Sequence, residues 1–342
     1  MKQQPLWRYG YGARCGEDMR KSADGLLSTW LLRNRMKSFT VLLVVLLGAG
    51  RSFAQSATPA ATNVLKVGTS TIEIVFSGVK PDLSHEILLA YVGDAAQTVS
   101  HYYGVFPVAR AQLRIVVVPG RAGVLQGTTW GDRDGFPAMT RLSIGQHTSQ
   151  DDLRTDWILT HEFVHTALPS LPDDQHWLEE GIATYVEPIA RFQSGFLTKK
   201  QVWWGMIDGM PHGQPGNSDL GLDNTHTWGR TYWGGALFCM IADIRIRQQT
   251  KNALGLQDAL AAIVHAHGSI EHEWPIDRVL AVGDKRTETT VLEDLYKSWR
   301  ATPVKVDLAG LWSQLGVSDS PEGVLFDDSA PLASVRDTIL HP

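Results

Sequence analysis

Apolar and polar positions alternate over part of Val64–Phe76, which predicts a strand. The period then lengthens. Ile87, Leu88, Tyr91, Val92, Ala95 and Val99 recur three or four apart and predict a helix within 81–103. Leu113–Val118 is a β-branched run closed by Pro119-Gly120, the pattern of a buried strand and a turn. Glycine-rich 119–139 reads as a loop, and Thr140–Gly145 as a short edge strand. Residues 64–148 thus predict a small α/β lobe. Ser149 and Asp152 have the S-x-x-D spacing of a helix start, and one helix is expected from there past Leu153, Trp157, Leu159 and Val164 to a stop at Pro169. After Ser170-Leu171-Pro172, Asp173 and Asp174 open a second helix to about Arg191, antiparallel to the first, so that 149–191 forms a helical hairpin.

Residues 192–231 are rich in Gly, Pro and aromatics such as Trp203, Trp204 and Trp228. They predict either the wall of a cleft or a surface excursion anchored by tryptophan packing. From Tyr232 the helical period returns in Leu237–Gln249, Leu256–His265, Val291–Arg300 and Leu308–Leu315, giving a mostly helical lobe over 192–317. The polar tail 318–342 is expected to be loosely held. The fold class is α+β.

Charge changes the picture at the start of the chain. The 342 residues carry a formal net charge of -5. Nine Lys/Arg and three Asp/Glu fall in 1–54, which leaves a net of -11 (22 basic, 33 acidic) from residue 55 onward. So acidic a body argues against nucleic acid as a partner. The basic residues Arg33, Arg35 and Lys37 lead into 36–54, which carries an apolar run (Phe39–Leu47) and then the small-residue pattern Ser52-Phe53-Ala54. This is the layout of a secretory signal peptide cleaved after Ala54, and the apolar run is too short to span a bilayer. The expectation is export to the periplasm or the extracellular space, with no stable membrane anchor after cleavage. Residues 1–35 are then an upstream extension ahead of a true start at Met36, and 55–63 a polar linker. Once Cys15 is removed with that segment, Cys239 has no partner for an internal disulfide and reads as a buried packing residue.

Candidate chemistry sits in His161-Glu162-Phe163-Val164-His165. On a helix, positions i and i+4 share a face, so His161 and His165 present two imidazoles together, half of a tetrahedral zinc site. Glu162 lies beside them as a general base. In the helical hairpin Glu180 reaches a similar height to His165 and is the geometric candidate for the third ligand, whereas Glu179 points about 100° away. Three protein ligands leave one position for water.

Trp177-Leu-Glu-Glu-Gly-Ile-Ala-Thr-Tyr185 resembles the W-L-x-E-G-x-A-x-Y segment of gluzincin metallopeptidases, especially the M1 aminopeptidases and related thermolysin-like families. That resemblance implies a two-lobe fold, Zn2+ held by His161, His165 and Glu180, and hydrolysis of a peptide or protein substrate. Tyr232-Trp-Gly-Gly-Ala236 is similar to the Y-x-x-G-A stretch of the same families and implies that Tyr232 donates to the tetrahedral intermediate. Gly135-Phe-Pro-Ala-Met-Thr140 is the nearest stretch to the amine-binding G-x-M-E-N segment of aminopeptidases and lacks its acidic residue, so aminopeptidase and endopeptidase both stay open. Leu168 and Leu171 stand where a metzincin needs Gly and His. The alternative from another class is a catalytically silent relative that binds peptide or metal. The residues leave the oligomeric state open.

Overall fold

A computed structural model of the protein describes residues 62–341. The upstream extension, the signal segment and most of the linker lie outside the described residues. No helix among the described residues is long and apolar enough to cross a membrane.

The first half is a five-stranded sheet backed by one long helix. The expected strand at Val64–Phe76 is two strands, β1 (Thr62–Val67) and β2 (Ser70–Gly78), turning tightly at Gly68, whose φ of 58° is left-handed. Helix α1 (His85–Tyr103) starts at Ser84, whose side chain accepts from the Ile87 amide, and ends at Gly104 with φ 81°. Its Leu88, Val92, Ala96 and Val99 are buried in the core with Ile72, Ile74, Leu113 and Ile115 of the strands. Strand β3 (Arg110–Val118) follows as the β-branched run predicts.

The glycine-rich stretch departs from the loop reading. Residues 119–139 hold β4 (Val124–Arg133) and the start of β5 (Phe136–Gly145), an antiparallel hairpin turning at Asp134-Gly135. The strand order β1-β2-β3-β5-β4 puts β5 inside the sheet and β4 at its edge, the reverse of the expected edge role for Thr140–Gly145. Strand β4 is half-buried along its length and carries Gly127, Gly131 and two threonines, so it lacks the apolar signature of an inner strand.

The expected single helix from Ser149 is two: α2 (Gln150–Thr155) and α3 (Ile158–Val164), followed by a 3-10 turn to Ala167. Ser149 and Asp152 form the anticipated reciprocal cap on α2. The break is at Asp156, whose backbone is extended (ψ 142°). Its carboxylate accepts from the Ile158 and Leu159 amides, both at 3.1 Å, and from the Tyr91 hydroxyl. An aspartate at a helix start outcompetes the same aspartate inside a helix.

Helix α4 (His176–Gln193) opens through a 3-10 turn at Asp173–Gln175. Helices α5 (Lys199–Gly209), α6 (Gly235–Gln249), α7 (Leu256–His265), α8 (Ile276–Thr287), α9 (Val291–Trp299), α10 (Leu308–Leu315) and α11 (Ala333–Leu340) complete the second half. Cys239 is buried in α6, as expected. The tail is not loosely held. Val324, Val335, Ile339 and Leu340 join the core, and buried Arg336 donates to the carbonyls of Leu315, Gly316 and Asp327.

Candidate metal centre

The i, i+4 rule and a close helix crossing build the site. His161 and His165 lie on α3 and its continuing turn, with ring centroids 4.9 Å apart. Glu180, on the first turns of α4, comes between them: its Oε2 lies 3.1 Å from His161 Nε2 and 3.5 Å from His165 Nε2. The three donor atoms all fall within 4.8 Å of one another. A tetrahedron with metal–ligand bonds of about 2.0–2.1 Å has edges of about 3.3 Å, so the two Nε2–Oε2 separations match a zinc site. The donor set, two imidazoles and one carboxylate with one position left over, also fits that ion.

Electrostatics agree with a cation site. Burial works against the charge on Glu180, but His165, His161 and His176 hold its carboxyl well below the usual carboxylate range. Burial also lowers His165, yet Glu180 and Glu162 carry it up to about 8. A divalent ion replaces the protons these groups share.

Glu162 faces the same cleft from α3. Thr129 of β4 donates to its Oε2 at 2.8 Å and lies 3.1 Å from its main-chain oxygen. Thr140 on β5 is 3.0 Å from the Thr129 hydroxyl, so the sheet edge fixes the carboxylate. Burial pushes the Glu162 carboxyl above the ordinary range, opposed by His165, His161 and the Thr129 bond. Gly127 makes the approach possible: a Cβ there would sit 2.7 Å from Glu162 Oε1 and 2.8 Å from Cδ.

Tyr232 stands in a π-helical turn, Gly229–Gly234, that the sequence reading did not anticipate. Its ring lies 6.3 Å from that of His161, nearly parallel. The turn is held from behind by the buried pair Arg230 Nε–Asp219 Oδ2 (2.7 Å) and by Arg230 donating to the Gly213 carbonyl. Directly after it, α6 crosses α4 where Gly235 meets Gly181, and a Cβ on Gly235 would lie 2.7 Å from Gly181 Cα. This contact explains the glycine after Glu180: only side-chain-free backbone brings α4 and the Tyr232 turn together.

The cleft, of about 560 Å³, is bounded by β4 from Leu125 to Gly131, against whose end Ile270 packs, and by His176, Glu179 and Tyr232. Among the described residues, 192–231 add no side chain to the lining of this cleft, but Val202, Met206 and Met210 line a small cavity that touches His161, and Trp203 is fully buried with its ring 6.5 Å from that of Trp312. Two lining elements were missed: β4 itself and Ile270. The latter belongs to a segment tied to the metal hairpin by Ile270 and Ser170 amides donating to the Thr166 and His272 carbonyls. His176 reaches both Glu179 and Glu180. The Thr184 hydroxyl is buried without a protein partner beside a cavity of about 30 Å³ that also touches His161, room for one water. His265 and His267 are exposed.

No protein-family model matches the sequence, and no curated protein matches it. Among solved structures, an aminopeptidase N family protein from Idiomarina loihiensis aligns with TM-score 0.57 and 16% identity, over 76% of this chain and 49% of that one. An M1 zinc metallopeptidase from Deinococcus radiodurans aligns with TM-score 0.45 and 15% identity, over 72% of this chain and 52% of that one. The chain therefore spans about half the length of these structures. The likeness to the first is one of fold: a mixed sheet-and-helix scaffold shared with an aminopeptidase N family protein.

Proposed function

We propose that the protein is an exported zinc-dependent peptidase that hydrolyses peptide bonds. The observation that carries this reading is the convergence of His161 Nε2, His165 Nε2 and Glu180 Oε2 in one cleft that also receives Glu162 and Tyr232. A zinc ion held by those three residues supplies Lewis acidity and lowers the pKa of water towards 7. Thr129 occupies Glu162 Oε2, so Oε1 is the oxygen that takes the proton and passes it to the leaving amine. The raised carboxyl of Glu162 suits a group that must both accept and return a proton near neutral pH. Tyr232 donates to the developing oxyanion, a type of contact whose loss costs about 2.7–4 kcal/mol of barrier. Strand β4 is a sheet edge, and an extended peptide lying along it would add one more strand.

Metal analysis combined with a mixed peptide library tests this reading. Zinc at one ion per chain with cleavage supports it, and the cut positions separate aminopeptidase from endopeptidase. Zinc without any cleavage leaves the silent binder. Glu162→Gln is expected to keep the metal and lose hydrolysis; a zinc-loaded Gln variant as active as wild type would remove Glu162 from the mechanism.

A further inference from the structure

His176 and Glu179 stand beside the metal centre with no role in the chemistry just described. Both belong to the opening turns of α4, where His176 stands three residues before Glu179 and four before Glu180 and so reaches both. Their contacts form a chain. The Leu171 amide donates to Glu179 Oε1 at 2.9 Å, which ties Glu179 to the loop between the two site helices. Glu179 Oε2 lies 2.7 Å from His176 Nδ1, and His176 Nε2 lies 3.3 Å from Glu180 Oε1. The two oxygens of Glu180 thus face different partners. Oε2 faces His161 and His165, while Oε1 faces His176.

We propose that the His176–Glu179 pair is a positioning device that keeps Glu180 a one-oxygen ligand and so keeps the fourth position of the metal open. This rests on reading His161, His165 and Glu180 as a zinc site. A glutamate has three side-chain torsions, all of which must be ordered before it can ligate. With Oε1 engaged by His176, that ordering is complete before the metal arrives. Released from His176, the carboxylate is free to turn about its last torsion and offer both oxygens, which crowds the position that water needs. The imidazole itself is half exposed, with both nitrogens on carboxylates, so its removal leaves no core cavity. Metal ligands held by such outer hydrogen bonds typically lose 10–100-fold in affinity when the partner is removed.

The test compares wild type, His176→Ala and His176→Gln for zinc affinity by chelator competition, and for the visible spectrum of the cobalt(II)-substituted protein. His176→Ala is expected to bind zinc about 10–100-fold more weakly. Its cobalt bands should weaken towards those of a five-coordinate ion, while the melting temperature of the metal-free protein stays at the wild-type value. His176→Gln, which restores a donor amide, should recover part of both. Glu179→Ala, which frees His176 without touching it, should shift both readouts in the same direction. Wild-type affinity and spectrum in His176→Ala would overturn the proposal while leaving the zinc site intact. Absence of zinc binding by wild type would overturn both.

Discussion

Gly127→Ala adds a single methyl group to β4, and that methyl would point at the Glu162 side chain. The new Cβ would sit 2.8 Å from Glu162 Cδ and 2.7 Å from Oε1. Ordinary carbon–carbon contact is about 3.5–4.0 Å, so the carboxyl group has to retreat by about 1 Å. The neighbour that must give is the end of a flexible side chain next to an open cleft, which keeps the cost to folding small. The cost to catalysis is larger, because a misplacement of about 1 Å at a reacting group costs on the order of 100-fold in rate, or about 2.7 kcal/mol of barrier. The three atoms nearest the methyl all belong to Glu162, so zinc stoichiometry should not change. The assay is kcat on a peptide cleaved by wild type, with zinc content and melting temperature measured on the same preparations. A zinc-loaded Gly127→Ala protein with wild-type kcat would refute the assignment of Glu162's position to the sheet edge.

Other consequences are testable more briefly. Gly181→Ala should destabilise the fold by about 1–3 kcal/mol, since the added methyl meets the Gly235 backbone and has no rotamer by which to escape; that corresponds to a melting temperature lower by about 2–4 °C per kcal/mol. Tyr296 donates to Asp223 Oδ2 at 2.8 Å, and Asp223 also accepts from Trp177 Nε1. Burial, with help from that aspartate, pushes the Tyr296 phenol up to about 12. A group whose pKa is raised by folding contributes stability fully present below its unfolded value, about 10, and lost as pH rises through the folded value. The stability gap between wild type and Tyr296→Phe should therefore shrink from pH 10 to pH 12 in urea denaturation, and a gap that widens over that range would contradict the assigned bond.

What the sequence made legible was local. His161 and His165 are one helical turn apart, the Ser149–Asp152 cap is three residues long, and α1, α6, α7, α9 and α10 follow from apolar spacing. Glu180 was reachable because a short hairpin leaves little choice of height for its side chain. The misses lie where the partner is distant or the backbone irregular. Strand β4 is an edge strand of mixed polarity whose pairing with β5 is what makes it a strand. Asp156 breaks the expected helix for the sake of two amides and Tyr91, the last 65 residues away. The π turn under Tyr232 depends on Arg230 and Asp219, eleven residues apart in an aromatic-rich stretch with no periodic pattern. Arg336 made the tail look polar, yet it is fully buried on carbonyls supplied by two preceding segments.

The crossing of Gly181 and Gly235 makes one stiff wedge of α4 and α6. The carboxylate that would hold the ion sits one residue before the first glycine, and the tyrosine three residues before the second. Sliding either helix along the other would change the separation of the two groups. Substrate preference is therefore free to drift only at the opposite lip, where β4 and the Ile270 segment meet, while the wedge sets a fixed bite that every substrate must accept.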